Sequence, residues 1–135
     1  MERKTFCKLC LLAAAATVLP TLESCTTTKV FKAIPVNNTV AVPLTLFETN
    51  SLNYVRLKGI YFDIAVQKKA DNTFTALLMR CTHQDNQLTT TGNGFMCSLH
   101  GSIFDKEGQV KKGPADLPLL RYKAEVVGEN VVIHL

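Results

Sequence analysis

The chain has 135 residues, of which 47% are hydrophobic and 19% charged, so it has room for one domain with a real core but not for several. There are 15 Lys and Arg against 11 Asp and Glu, for a formal net charge of +4. After the first 24 residues, basic residues are adjacent only at Lys68-Lys69 and Lys111-Lys112, which we interpret as solvated turn residues. This mild charge excess predicts no nucleic-acid partner.

Residues 1–24 have the pattern of an export signal. The charged residues Glu2-Arg3-Lys4 and Lys8 precede an apolar run, Leu9–Leu19, of about 11 residues, or ~16 Å as a helix. The hydrocarbon core of a bilayer is ~30 Å thick. The short length of the run therefore disfavours a permanent anchor helix.

The end of this segment, Leu22-x-Ser24-Cys25, resembles a lipobox, in which cleavage leaves a lipid-modified cysteine as the first residue. A cysteine that happens to follow an ordinary signal peptide is the alternative. Arg3-Lys4-x-Phe6 resembles the twin-arginine export motif with Lys in place of the second Arg, and the Sec route stays open beside it. We expect an exported protein of the cell envelope, periplasmic or on the outer surface, anchored in the membrane by lipidated Cys25.

The rest of the chain is predicted to be a short tether, residues 25–34, followed by β-strands. Apolar and β-branched runs predict strands at Val40–Phe47, Tyr54–Leu57, Ile60–Gln67, Thr73–Met79, Phe95–Met96, Leu119–Val127 and Val131–Leu135. Turn residues separate them at 69–72, 105–108 and 128–130. No segment after residue 25 has sustained helical periodicity. The predicted fold is all-β, a small antiparallel sandwich or barrel over residues 35–135.

Two Cys-His pairs of unequal spacing, Cys81-x-His83 and Cys97-x-x-His100, stand out in the middle of the chain. Two thiolates and two imidazoles on two loops would make a four-ligand metal site. A structural zinc site more usually takes two sulfurs from one turn. One thiolate and one imidazole from each loop suit a binuclear centre in which one iron takes both sulfurs and the other both histidines. A zinc site, or a chance arrangement of core cysteines and surface histidines, remains the alternative.

These pairs resemble the signature of the Rieske [2Fe–2S] family, which continues after the second pair as it does here in Gly101-Ser102-x-Phe104-Asp105. Downstream, Gly113-Pro114-Ala115 resembles the loop that covers the cluster in Rieske domains. The resemblance covers residues 35–135 and implies a Rieske-type sandwich or barrel with two cluster-binding loops and one [2Fe–2S] cluster per subunit. The ligands that it implies are Cys81, His83, Cys97 and His100, with Ser102, Phe104, Gly113 and Pro114 as further cofactor-binding residues.

Three positions depart from the high-potential members of that family. Asn86 and Leu99 stand where those members have the two cysteines of a disulfide between the ligand loops, and Phe104 stands where they have a Tyr that donates to a ligand sulfur. Ser102 matches the family position whose hydroxyl donates to a cluster sulfide. Of the five cysteines, two lie in the export segment, one is the expected lipid site and two are expected ligands, so none is left for a disulfide. We expect a potential in the lower or middle part of the range of about −150 to +300 mV.

The resemblance implies one-electron transfer by an electron carrier or redox-complex subunit rather than by a stand-alone catalyst. The expected partners are redox proteins that donate and accept electrons. A second hypothesis is that the domain is a subunit of a membrane redox complex, such as a quinol-oxidising assembly or an arsenite-oxidase-like assembly with a molybdenum-containing subunit. A zinc-stabilised binding module at the cell surface is the alternative. The third histidine, His134, lies in the last predicted strand and is given no role.

Overall fold

The computed structural model describes residues 30–135, and strands dominate that part of the chain. The strands are β1 (Val30–Ala33), β2 (Thr39–Pro43), β3 (Leu52–Leu57), β4 (Ile64–Lys68), β5 (Phe74–Leu78), β6 (Thr89–Thr91), β7 (Gly94–Met96), β8 (Ile103–Asp105), β9 (Val110–Lys112), β10 (Arg121–Val127) and β11 (Asn130–His134). A 3₁₀ helix, Leu44–Phe47, follows β2. Within residues 30–135, no helix has the length and apolarity to cross a bilayer. The predicted export signal and Cys25 lie outside the described residues.

The strands form two sheets. The larger has seven strands in the order β1-β3-β4-β5-β10-β11-β2, and the smaller has four in the order β6-β7-β8-β9. β1 pairs with β3 in parallel, and the other pairs in both sheets are antiparallel. This confirms the predicted all-β architecture.

The two sheets enclose two hydrophobic cores. Strands from both ends of the seven-stranded order supply the first core, so this sheet curls on itself; its buried residues are Val40, Val42, Phe47, Val55, Leu57, Ile64, Val66, Ala76, Leu78, Val131 and Ile133. The second core lies between this sheet and the smaller one; its buried residues are Ala65, Leu77, Met79, Cys81, Leu88, Phe95, Cys97, Phe104, Ala115 and Leu119. β4 and β5 contribute to both cores, because successive side chains on a strand point to opposite faces. Residues 64–66 of β4 and 76–78 of β5 are therefore apolar and buried at every position.

Two elements predicted near the start of the described residues end earlier than expected. The tether does not extend to residue 34, because Val30–Ala33 forms β1 and pairs with β3. The strand predicted for residues 40–47 ends at Pro43, after which Leu44–Phe47 forms the 3₁₀ helix. Pro43 does lie on an edge strand, as a residue without an N–H should.

The strands predicted on either side of the turn at residues 69–72 are confirmed, and they form a hairpin before the first Cys-His pair. β4 and β5 pair antiparallel, and the turn between them carries Asn72 at a φ of 62°. β4 begins at Ile64 rather than residue 60. In the smaller sheet, β7 and β8 approach closely at Gly94, where a Cβ atom would overlap the carbonyl oxygen of Phe104. Only glycine fits this position without a shift of the backbone.

An ion-pair cluster joins the smaller sheet to the larger one. Glu107, in the turn between β8 and β9, accepts hydrogen bonds at Oε2 from Arg121 and from Lys69, each over 2.9 Å. The Arg121 guanidinium also donates to the Glu107 carbonyl oxygen over 2.8 Å. The hydrogen bond from Arg121, and to a lesser extent the one from Lys69, holds the pKa of Glu107 below its ordinary value. The carboxylate therefore stabilises the packing of the two sheets while it is ionised.

Candidate metal centre

The first predicted ligand loop follows β5. The Cys81 N–H donates to the Asn86 carbonyl oxygen over 2.9 Å, and the Leu88 N–H donates to the Met79 carbonyl oxygen over 3.0 Å. These two bonds close a short loop whose base is apolar. Cys81 is buried at that base, whereas His83 is exposed.

The second predicted ligand loop, between β7 and β8, is closed in the same way. The Cys97 N–H donates to the Ser102 carbonyl oxygen over 2.8 Å, and the Gly101 N–H donates to the Cys97 carbonyl oxygen over 2.9 Å. Gly101 has a φ of 80°, a left-handed conformation that side chains other than glycine rarely adopt. Cys97 is buried and His100 is exposed, so this loop repeats the arrangement of the first.

The fold brings the four predicted ligands together at one end of the molecule. Cys81 and Cys97 are each 1% exposed, and both are buried in the second core. The imidazole rings of His83 and His100 have centroids 5.0 Å apart and planes at 83°. Two thiols therefore lie inside and two imidazoles outside. This donor set fits a binuclear centre with a sulfur-ligated inner iron and a histidine-ligated outer iron.

The described residues contain no group of three or more His, Cys, Asp or Glu side chains placed to hold one metal ion. A binuclear centre has a different requirement, because its four protein ligands are divided between two metals.

The surroundings of Cys97 favour the thiolate that metal binding requires. Burial raises the pKa of the Cys97 thiol, but hydrogen bonds from the Leu99 N–H, the Cys81 and Asn86 side chains and the His100 N–H together outweigh burial and hold this pKa below its ordinary value. The Asn86 amide nitrogen lies 3.5 Å from the Cys97 sulfur. Nothing in the sequence pattern around Asn86 indicates that its side chain is a donor to a cysteine.

The Gly113–Pro118 loop packs against both ligand loops. The Ala115 N–H donates to the Ser102 hydroxyl oxygen over 3.0 Å. The Thr82 hydroxyl donates to the Leu117 carbonyl oxygen over 2.7 Å, a contact that no sequence pattern indicated. These bonds hold the loop, with its exposed Gly113 and Pro114, beside the predicted ligands.

Ser102 and Phe104 are both fully buried, at 0% exposure. Because the Ser102 oxygen accepts from Ala115, its hydroxyl hydrogen is available for a second acceptor, as the expected donation to a cluster sulfide requires. Phe104 packs in the second core with Cys81 and Cys97. It excludes water from the thiols and offers them no donor.

Comparison with known proteins gives a family match over most of the described chain. A family model of the Rieske [2Fe-2S] domain matches residues 35–123. The cytochrome b6-f complex iron-sulfur subunit of Chlorobaculum thiosulfatiphilum is 33% identical over 61 residues, 44% of this chain and 34% of that protein. Iron-sulfur subunit 1 of the same complex from Synechocystis is 38% identical over 55 residues, 39% of this chain and 31% of that protein. The chain spans about a third of the length of the curated relatives it matches.

Solved structures agree with the family match at the level of the fold. A plasma membrane Rieske protein from Synechocystis PCC 6803 aligns with a TM-score of 0.60 and 24% identity over 71% of this chain and 99% of its own. A chain from the oxygenase–ferredoxin complex of carbazole 1,9a-dioxygenase aligns with a TM-score of 0.55 and 22% identity over 73% of this chain and 94% of its own. At these identities the likeness shows the fold alone. Because the family model matches more than half of the chain and includes both ligand loops, the chain belongs to the Rieske [2Fe–2S] domain family, and its cofactor is a [2Fe–2S] cluster.

Proposed function

We propose that this protein is an exported, membrane-tethered electron carrier that passes single electrons between redox partner proteins. The observation that carries the proposal is the arrangement of the four ligand residues, with Cys81 and Cys97 buried and His83 and His100 exposed at one end of the fold. When bound, the [2Fe–2S] cluster supplies reversible one-electron chemistry. Because His83 and His100 are exposed, a partner protein that contacts them would lie close to the cluster, which keeps the distance for electron transfer short.

The chain's own residues have separable tasks in this proposal. Cys81 and Cys97 would hold the inner iron of the cluster, and His83 and His100 would hold the outer one. Phe104 and its neighbours in the second core exclude water from the sulfurs, which supports a defined potential. The Ser102 hydroxyl orients the covering loop by accepting from the Ala115 N–H, and its own hydrogen would be available to the cluster.

Service in a respiratory redox complex is the second part of the proposal. Its support is the similarity to iron-sulfur subunits of cytochrome b6-f complexes, which covers about two fifths of this chain. Membrane tethering rests on the short apolar run and on Cys25. The zinc-stabilised module has no comparable support, since the family to which the chain belongs carries iron and sulfide.

A redox titration of the purified protein, followed by visible absorption, tests the electron-transfer proposal. We expect a reversible one-electron transition within about −150 to +300 mV. A protein that bleaches irreversibly or shows no transition in this range would refute it. Co-purification with a quinol-oxidising or molybdenum-containing subunit tests the placement in a complex.

The tether is tested separately by Cys25→Ala, which should release the domain from membranes and leave its visible spectrum unchanged. A variant that stays membrane-bound and uncleaved would mean that residues 9–19 are the anchor and that the lipid hypothesis is wrong.

A further inference from the structure

Asn86 connects the two ligand loops. Its backbone carbonyl oxygen accepts from the Cys81 N–H of its own loop over 2.9 Å. Its side-chain nitrogen Nδ2 lies 3.5 Å from the sulfur of Cys97 in the other loop. The same nitrogen donates to the Gln87 carbonyl oxygen over 3.2 Å, so each of the two amide hydrogens has an acceptor. One residue therefore contacts both cysteines.

The direction of the Asn86 contact is fixed by chemistry. An amide N–H donates and a cysteine sulfur accepts, and Asn86 is half-buried, so water competes little for the bond. Reduction places additional negative charge on the centre and on its sulfur ligands. A donor to a ligand sulfur therefore stabilises the reduced state more than the oxidised state.

We propose that Asn86 is a positioning residue that donates a hydrogen bond to the Cys97 sulfur in the loaded protein, fixes the two ligand loops relative to each other and raises the reduction potential. This inference rests on the proposed electron-transfer function. Asn86 would thus supply a hydrogen-bond donor at a position where high-potential Rieske proteins have a disulfide cysteine.

Asn86→Leu removes the donor with little change in side-chain volume. We expect the equilibrium constant for reduction to fall about tenfold, or about 59 mV for a one-electron couple. Gln87→Leu is the matched control: Gln87 lies in the same loop, and its amide accepts from the Asp63 N–H and donates to the Leu88 carbonyl oxygen. Gln87→Leu removes two side-chain hydrogen bonds from the same loop but none to a cysteine, so it should leave the potential unchanged.

An unchanged potential in loaded Asn86→Leu would overturn the inference. An equal shift in loaded Gln87→Leu would do the same, because loosening of the loop would then be the cause.

A measurement on the unaltered protein covers the case in which Asn86→Leu fails to load. Protein made with asparagine that carries ¹⁵N in its side-chain amide is compared with unlabelled protein by pulsed EPR of the reduced samples. The weak nitrogen coupling should differ between the two samples, because the Asn86 amide lies against a ligand sulfur. An unchanged spectrum from a fully loaded sample would refute the role of Asn86 and leave the proposed function intact. An unaltered protein that never takes up iron and sulfide would refute the proposed function itself.

Discussion

Phe104→Tyr tests whether the side chain at position 104 faces a ligand sulfur. Phe104 is fully buried in the core that holds both cysteines, so an added phenolic hydroxyl cannot reach bulk water without a rearrangement. A hydroxyl that donates to a ligand sulfur raises the potential, since it stabilises the more negative reduced state. A preference for the reduced state of about 1 kcal/mol corresponds to about 40 mV for one electron.

If the hydroxyl finds no acceptor, its burial costs about 1–3 kcal/mol and lowers the melting temperature by about 5 °C or more. The two outcomes separate in a redox titration combined with thermal unfolding of the loaded protein. Phe47→Tyr is the matched control, because Phe47 is buried against Phe74 in the first core, away from the cysteines. We expect a raised potential for Phe104→Tyr and an unchanged one for Phe47→Tyr. A stability loss in Phe104→Tyr without a change in potential would show that this side chain does not face a ligand sulfur.

Three further predictions concern separate contacts. Ser102→Ala should lower the potential by tens of millivolts, and loss of the acceptor for the Ala115 N–H should destabilise the loaded protein by about 1 kcal/mol; an unchanged potential in a redox titration would contradict this role. Gly94→Ala should destabilise the fold by about 2 kcal/mol or more in urea unfolding, because the new Cβ overlaps the Phe104 carbonyl oxygen, and a near-neutral variant would contradict that close approach. Glu107→Gln should cost about 0.5 kcal/mol at pH 7, since the ion pairs are partly exposed. The pKa of Glu107 is lower in the folded state than in the unfolded state. The carboxylate therefore adds to the free energy of unfolding above the unfolded pKa of about 4.3, and this contribution is lost as the pH falls through the folded pKa. Wild type and variant should then have the same free energy of unfolding.

Sequence patterns predicted the parts of the fold in which apolar runs and turn residues agree. The hairpin of β4 and β5 was predictable because turn residues around Asn72 separate two apolar runs. β1 was missed because its four residues pair in parallel with a strand more than 20 positions away, a partner that no local pattern indicates. Strand β6, Thr89–Thr91, was missed because all three residues are exposed and show no alternation.

The candidate site was predictable for the same reason that the family is recognisable. Cysteine and histidine have few substitutes as ligands, so their spacing is informative in a single sequence. The spacing of residues in the sequence does not predict the contacts around these ligands. The amide of Asn86 and the hydroxyl of Thr82 act only because the fold places Cys97 and Leu117 beside them. The expected potential in the lower or middle part of the range stays a prediction. Asn86 stands in place of a disulfide cysteine, yet its amide lies where it can donate to the Cys97 sulfur.

The most direct test of the central claim is the metal and sulfide content of protein purified anaerobically after expression with sufficient iron. With Cys81, His83, Cys97 and His100 as ligands, each chain should hold two irons and two acid-labile sulfides, and His83→Ala or His100→Ala should lose or convert the centre. One zinc per chain with no iron or sulfide would contradict the account.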